Sequence, residues 1–455
     1  MRTDQCGYQV TGASQVGVER LDAAVRALLL FAENVGDAWE STVVDDPAFA
    51  LGHIGRAYLR CLSSEAPDAA DARTILENLG DGHELSDRER RHLDAAHAYA
   101  IGDLHGAAAR LDALTVEYSH DLLALAVGHQ LDFFCGDSPG LRDRPGRVLS
   151  SWDHGHPLFG FVLGMHAFGL EETNLYPQAE TVGMRALDVE PRDVWALHAV
   201  VHVHEMQGRV EAGLRFMDER RAHWSTGNFF VVHNAWHEAL FRLEAGDVAG
   251  ALAIYDTTLH HDRSAMVALE MLDATALLWR MHLDGIDTGD RWSTLADAWA
   301  EKTDDEPSYA FNDMHAAMAF AAADRLDDLR AVVAGLRRYI ATAQPSVTNL
   351  SMTAEVGLPV CEAILAFSEG RYDDTGGALH PIRRIVHRFG GSNAQRDVVA
   401  RTLLEAAIRG GDGALARALA SERLAIKESS PYNRRQLDRA PQRDARTAPA
   451  AVAAV

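Results

Sequence analysis

A chain of 455 residues with 47% hydrophobic residues holds ample material for a continuous core, which excludes a mostly disordered protein. Its formal net charge of -23, from 66 acidic and 43 basic residues, repels phosphate backbones and anionic headgroups, so neither a nucleic-acid partner nor a membrane surface is expected. The four cysteines (Cys6, Cys61, Cys135 and Cys361) are widely spaced with no CxxC, which excludes a disulfide framework and a thiolate zinc site and fits buried thiols in a reducing compartment.

Residues 1–20 are polar and contain glycine, and are expected to form a flexible N-terminal segment. They lack the apolar stretch of a signal peptide. No later run approaches the ~20 apolar residues that cross a bilayer, so a soluble, cytoplasmic protein is expected. From Leu21 to Lys427 the apolar residues recur with helical period, and alanine and leucine favour helix. Prolines sit near expected helix starts, as Pro191 does in EPRDVWALHAV. Residues 21–428 are therefore expected to fold as one helical-repeat superhelix.

Short Gly-Asp or Gly-Arg breaks punctuate that region. They stand at Gly102-Asp103, Gly136-Asp137, Gly208-Arg209, Gly246-Asp247, Gly370-Arg371 and Gly411-Asp412, with Gly169-Leu170 and Ala323-Asp324 as variants. Successive breaks lie 33 to 47 residues apart, except for one interval of 77 that spans about two units. That period, with a tight turn inside it, predicts helix hairpins. After the break comes a helix with small residues on its packing side, as in GDLHGAAARLDAL and GDVAGALAIYDTTL. The pattern is similar to the tetratricopeptide repeat, with HEAT-type repeats as the nearest alternative. The expected fold class is all-α: a solenoid of tetratricopeptide-like hairpins forming a right-handed superhelix with a concave inner surface. Residues 429–455 carry Arg, Pro and Ala without hydrophobic period, and read as a flexible, locally basic tail.

The histidines concentrate between Trp195 and His237, in WALHAVVHVHEMQGR and NFFVVHNAWHEALFRLEAGD. His198, His202 and Glu205 stand at i, i+4 and i+7 and share one helix face; His204 points roughly the other way. His233 and His237 form another i, i+4 pair. Both helices precede a glycine break, so both are first helices of their hairpins, and their histidines can face one another across the groove. Such a cluster can bind a divalent metal with Glu205 completing the shell, although there is neither HExxH nor a repeated ExxH. It can serve metal-free acid–base catalysis. It can equally be a hydrogen-bonded part of the core that sets repeat geometry.

Further along, YAFNDMHAAMAF opens another first helix with Asn312, Asp313 and His315, where Asp313 is a candidate cap. AEVGLPVCEAILAF places Gly357 and Pro359 at a helix entrance. In FGGSNAQRDVVARTLLEAAI, Ser392 or Asn393 can cap, and Gln395, Arg396 and Asp397 fill the first turn. An arginine there opposes the helix dipole and calls for a fixed anionic partner, either a carboxylate of the protein or one on a ligand. Trp195, Trp224 and Trp236 lie among the histidines, as core or as walls of an apolar pocket. No P-loop, GxGxxG, GxSxG or kinase motif occurs.

Five motifs in order, HVHEMQGR, VHNAWHEALFRLEAGD followed by IYD, FNDMH, VGLPVCEA and GGSNAQRDV, span about residues 195–400 and resemble the tetratricopeptide repeat protein 38 family. The resemblance implies an all-helical repeat fold and brings no established reaction. It draws attention to His202, Glu205, His233, Asn234, Trp236, His237, Asn312, Asp313, His315, Gln395, Arg396 and Asp397. The reading that follows is a small-molecule pocket inside the superhelix. His202, Glu205, His233, His237 and Asp313 are its candidate catalytic residues. His198, Asn234, Trp236, Asn312, His315, Gln395, Arg396 and Asp397 are its candidate ligand contacts. The competing reading is a scaffold that grips a peptide or helix in an open groove.

Overall fold

The computed structural model describes residues 2–79, 85–303 and 307–441, and among them the chain is helical apart from a small antiparallel hairpin, Arg2–Thr3 with Gln9–Val10, and one isolated bridge between Ala32 and Asn228. The fold is the expected all-α superhelix of tetratricopeptide-like helix hairpins.

One device recurs at the hairpin turns. A residue with positive φ follows the first helix, and the next amide returns to a carbonyl five residues back: Asp103 to Ala98 at 2.9 Å, Asp137 to Asp132, Arg209 to His204 and Asp247 to Arg242 at 2.8 Å. This closes the first helix by the Schellman arrangement, which glycine enters at no steric cost. The aspartate after the glycine then caps the second helix: Asp103, Asp137, Asp247 and Asp412 each accept from an amide three residues on. The dipeptide Gly-Asp thus ends one helix and starts the next.

Two turns depart from the expected punctuation. The break assigned to Gly169-Leu170 lies at Asn174, with φ 63°; Gly169 is inside the helix Phe159–Glu172, where a Cβ would run into the Leu141–Arg142 backbone. Asn can enter the left-handed region and replaces glycine there. The long interval is divided by Gly285, with φ 71°, between Ala268–Leu283 and Arg291–Ala300. Asp324, with φ 58°, turns its hairpin where expected. Pro191 precedes its helix, which Asp193 caps at Val194.

Gly136 and Gly246 separate backbone strain from close packing. Both have positive φ, but a Cβ on Gly136 would overlap the His387 carbonyl, whereas Gly246 has nothing within 4 Å. Gly246→Ala should cost about 1–2 kcal/mol. Gly136→Ala should cost clearly more, read as the larger fall in melting temperature of the pair.

Successive turns of the superhelix lie on one another. Tyr309 donates to the Phe134 carbonyl across 175 residues, and Asn312 to the Ser64 carbonyl across 248. The Thr348 amide donates to the Gly102 carbonyl, and Asn393 to the Glu172 carboxylate. These contacts tie together helices far apart in sequence around the interior cavities.

Both ends differ from the flexible segments expected at residues 1–20 and 429–455. The Arg2–Val10 hairpin is docked by Asp4 on buried Arg88, and Thr11 donates to Glu89; the first helix then runs Gln15–Leu29 with Val18 and Leu21 in the core. At the other end Ser430 caps Pro431–Arg439, which buries Tyr432, Asn433 and Gln436. The remainder of the tail, 442–455, lies outside the described residues. The interior also contains an apolar run the sequence reading passed over. Thr348–Ser368 is a continuous helical stretch of 21 residues with an apolar window of mean hydropathy 1.5, 56% of that window buried. Its Asn349 accepts from the Ala310 amide, and Cys361 and Ile364 lie in the core. Packing accounts for its apolar character.

Candidate functional site

The first helices of consecutive hairpins line the interior. Asp193 caps the first histidine helix, Val194–Met206, by accepting from Trp195 and Ala196. Every residue from Val194 to His204 is buried, so His198 and His202 project into protein. The second histidine helix, Val231–Glu244, packs beside it and brings His233 and His237. The i, i+4 spacing sets each pair on one face, and adjacency of the helices sets the pairs together. His198 and His202 have ring centroids 4.2 Å apart; His202 and His237 are at 4.5 Å, His198 and His233 at 4.8 Å, and His233 and His237 at 4.9 Å.

Carboxylates hold two of these rings. His233 Nδ1 is 2.8 Å from Asp273, and His237 Nδ1 is 2.7 Å from Glu205. His202 Nδ1 approaches Glu171 at 3.2 Å and Glu172 at 3.9 Å, without hydrogen-bond alignment to either. His233 and His198 meet through their Nε2 atoms at 3.0 Å. Burial lowers the pKa of His198 and His237 well below the usual histidine value and that of His202 to about 4, so these three rings are neutral near pH 7. Burial first, and then the neighbouring Glu171, pushes Glu172 up to about 7; burial and Glu205 raise Glu171 well above the usual carboxylate range.

The cluster forms one wall of a cavity of about 410 Å³. Leu28, Phe31, Leu59, Phe133, Met165 and Trp195 supply apolar wall, and His198, His233, Asp273 and Gln395 supply polar groups. Phe229 and Val267, 42% and 37% exposed, lie on its outer rim.

The other expected site residues divide. Trp236 is buried and stacked on His233 at 5.3 Å, with the Arg280 guanidinium over its indole. Asn234 is fully buried, and its side chain has no hydrogen-bond partner among the described residues. Trp224 instead donates to the Met217 carbonyl within its own hairpin. His315 is occupied by the Phe311 carbonyl at 2.7 Å and the Phe311 ring, outside the four-histidine group. Asn312 and Asp313 line a separate cavity of about 390 Å³ with Ser64, Glu65 and Trp299. Burial pushes Asp313 up to about 7 there. It does not cap its helix, which starts at Ala310 after Tyr309.

Arg396 and Asp397 do not line the histidine cavity. The Arg396 guanidinium is taken by Glu172 at 3.2 Å, Asn393 at 2.8 Å and the Gly391 carbonyl. Asp397 is held by Arg423 at 2.6 Å and Arg401 at 2.7 Å. Their partners are inside the protein, so neither side chain is left for a ligand. Gln395 reaches the cavity, but its side chain also closes a capping box with Ser392.

The sequence reading missed Asp273, Glu171 and Glu172. Asp273 had a signal, as a lone acid inside the apolar run MLDATALLW, whereas Glu171 and Glu172 sit at a helix end, where acids are usually solvated.

No family model matches the chain. Among solved structures it is similar to a chain of the APC/C hetero-tetramer Cut9-Hcn1, at 11% identity and TM-score 0.46, covering 96% of this chain and 78% of that one. It is also similar to the human IFIT1 dimer with m7Gppp-AAAA, at 13% identity and TM-score 0.43, covering 97% and 95%. The P58(IPK) TPR domain matches at 12% identity and TM-score 0.22, covering 78% and 97%.

Proposed function

We propose that the chain takes up a small, mostly apolar molecule in the inner cavity and sets its polar end against the histidine wall. The cavity carries this reading: about 410 Å³ of space walled by aromatic and aliphatic side chains, with polar groups concentrated in a few residues. That is the size and lining of small-molecule sites, which lie between about 300 and 1,000 Å³. The candidate contacts reduce to His198, His233, Asp273 and Gln395, with His202, His237 and Glu205 behind them. If the bound molecule reacts, it meets the cluster at His198 and His233, the two rings that line the cavity. No nucleic acid is expected as partner on grounds of charge.

The second reading, a scaffold for a peptide or helix, draws on the repeat architecture and predicts a retained protein partner indifferent to the cavity. Ala126 lines the cavity and separates the two readings. Native mass spectrometry and solvent extraction of the purified chain should find a retained apolar molecule; for a preparation without one, a series of alkyl alcohols followed by Trp195 fluorescence is the probe. Ala126→Trp fills the space and should weaken binding at least tenfold with the fold intact. Undiminished binding in that variant, or a partner protein whose capture survives it, would remove the pocket reading.

A further inference from the structure

We propose that His198, His202, His233 and His237 form a four-imidazole centre for one first-row divalent transition-metal ion. This goes beyond the cavity reading and stands without it, since the ion can bind whether or not the cavity holds a molecule.

One ring nitrogen of each histidine lies within 4.8 Å of one from every other. Two nitrogens that bind one tetrahedral ion at about 2.0–2.1 Å lie about 3.4 Å apart, so closure asks for ring shifts on the order of 1 Å. The available nitrogens are identified by what the others do. Nδ1 of His233 and His237 is engaged by Asp273 and Glu205, and Nδ1 of His202 faces Glu171. That leaves Nε2 on each of these rings, and Nε2 of His198 already meets Nε2 of His233 at 3.0 Å.

Two features point to an ion rather than to a hydrogen-bonded core. Nε2 of His202 and of His237 are fully buried and have no hydrogen-bond partner among the described residues, although the rings sit in a cluster that is otherwise packed. Buried polar atoms are rarely left so, because lost hydration is then uncompensated. A shared ion satisfies both at once. The second feature is the carboxylates outside the rings. Metal-ligating histidines characteristically donate their other N–H to a carboxylate, which orients the ring and raises its basicity. Asp273 and Glu205 stand in that position behind His233 and His237. Imidazole ligands without thiolates suit zinc, ferrous iron, nickel or copper; magnesium and calcium prefer oxygen. Because His198 and His233 also line the cavity, the ion would sit at its wall.

The test uses the full chain, stripped with chelator, dialysed and titrated with cobalt(II). Visible absorption and elemental analysis after gel filtration are the readouts. The expected result is one cobalt per chain with ligand-field bands, displaced by zinc. Glu205→Gln should weaken cobalt binding 10- to 100-fold while circular dichroism stays unchanged. His202→Ala with His237→Ala should abolish it; should that double variant unfold, Glu205→Gln decides. Ala126→Trp should lose the apolar molecule and keep the metal, so the two readings fail separately. A folded wild-type chain that binds no cobalt, zinc, nickel, copper or ferrous iron stoichiometrically would overturn the proposal. So would cobalt affinity unchanged in Glu205→Gln.

Discussion

Asp121→Ala should lower the unfolding free energy by about 3–5 kcal/mol, the usual cost of removing one partner from a buried ion pair. Asp121 is fully buried and accepts from Arg88 Nε at 2.5 Å, from His92 Nε2 at 2.9 Å and from the Ala124 amide at 2.9 Å, the last capping the helix Leu122–Phe134. Arg88 also pairs with Asp4 at 2.8 Å and lies over the Tyr8 ring, so the same guanidinium holds the N-terminal hairpin. Without Asp121, buried Arg88 keeps only Asp4. The loss should show as a lower urea midpoint and faster amide exchange in residues 2–20. Asp121→Asn retains an oxygen for the Ala124 amide and should cost less.

The pH dependence follows from the same contacts. Burial alone would raise the Asp121 carboxyl; Arg88 and then His92 outweigh it and hold the pKa well below the usual carboxylate range. A carboxyl that titrates lower in the folded than in the unfolded chain binds fewer protons when folded. Its contribution is therefore complete above the unfolded value of about 3.9 and is lost as pH falls through the folded one. Wild type should lose stability steeply below about pH 4, and Asp121→Ala should show a flatter acid limb.

How much of this was legible in the sequence depends on the range of the interaction. Gly102-Asp103 and its equivalents were readable because cap and turn are local, and a glycine followed by aspartate satisfies both within three residues. Asn174 was missed because an asparagine in the left-handed region leaves a weaker mark than glycine. The histidine pairs were readable because i, i+4 spacing fixes a face, and a hairpin repeat sets first helices side by side. Their carboxylates were only half readable. Glu205 shares the helix of His198 and His202, whereas Asp273 and Glu171 come from neighbouring hairpins whose rotation no local spacing fixes. The terminal segments failed for the same reason. Residues 2–10 look polar and unstructured until Arg88, held by Asp121, meets Asp4, and Pro431–Arg439 looks like a tail until Tyr432 lies under Arg401 and Arg423.

Arg396→Met should destabilise the chain by about 1–3 kcal/mol, because the Glu172 carboxyl and the Gly391 carbonyl lose a buried donor, and Glu172→Gln in the same chain should restore part of that loss. Arg396 and Glu172 come from helices 224 residues apart, on superhelical turns that lie against each other. Removing the guanidinium leaves a buried carboxyl with the Asn393 amide at 2.8 Å as its remaining close donor. It also strips the Gly390–Gly391 turn of the donor that closes it, where a Cβ on Gly391 would already press on Phe311, part of the cavity wall. Were Arg396 a ligand contact, its loss would weaken ligand binding with little change in stability, and Glu172→Gln would restore nothing. As an internal clamp, the reverse holds: stability falls, and the two substitutions together cost much less than the sum of their separate effects. Chemical denaturation of the four chains of this cycle, each stripped with chelator so that a bound ion adds nothing, measures the coupling directly. A coupling below about 0.5 kcal/mol, the range of independent sites, would mean that the two residues do not hold the turns together.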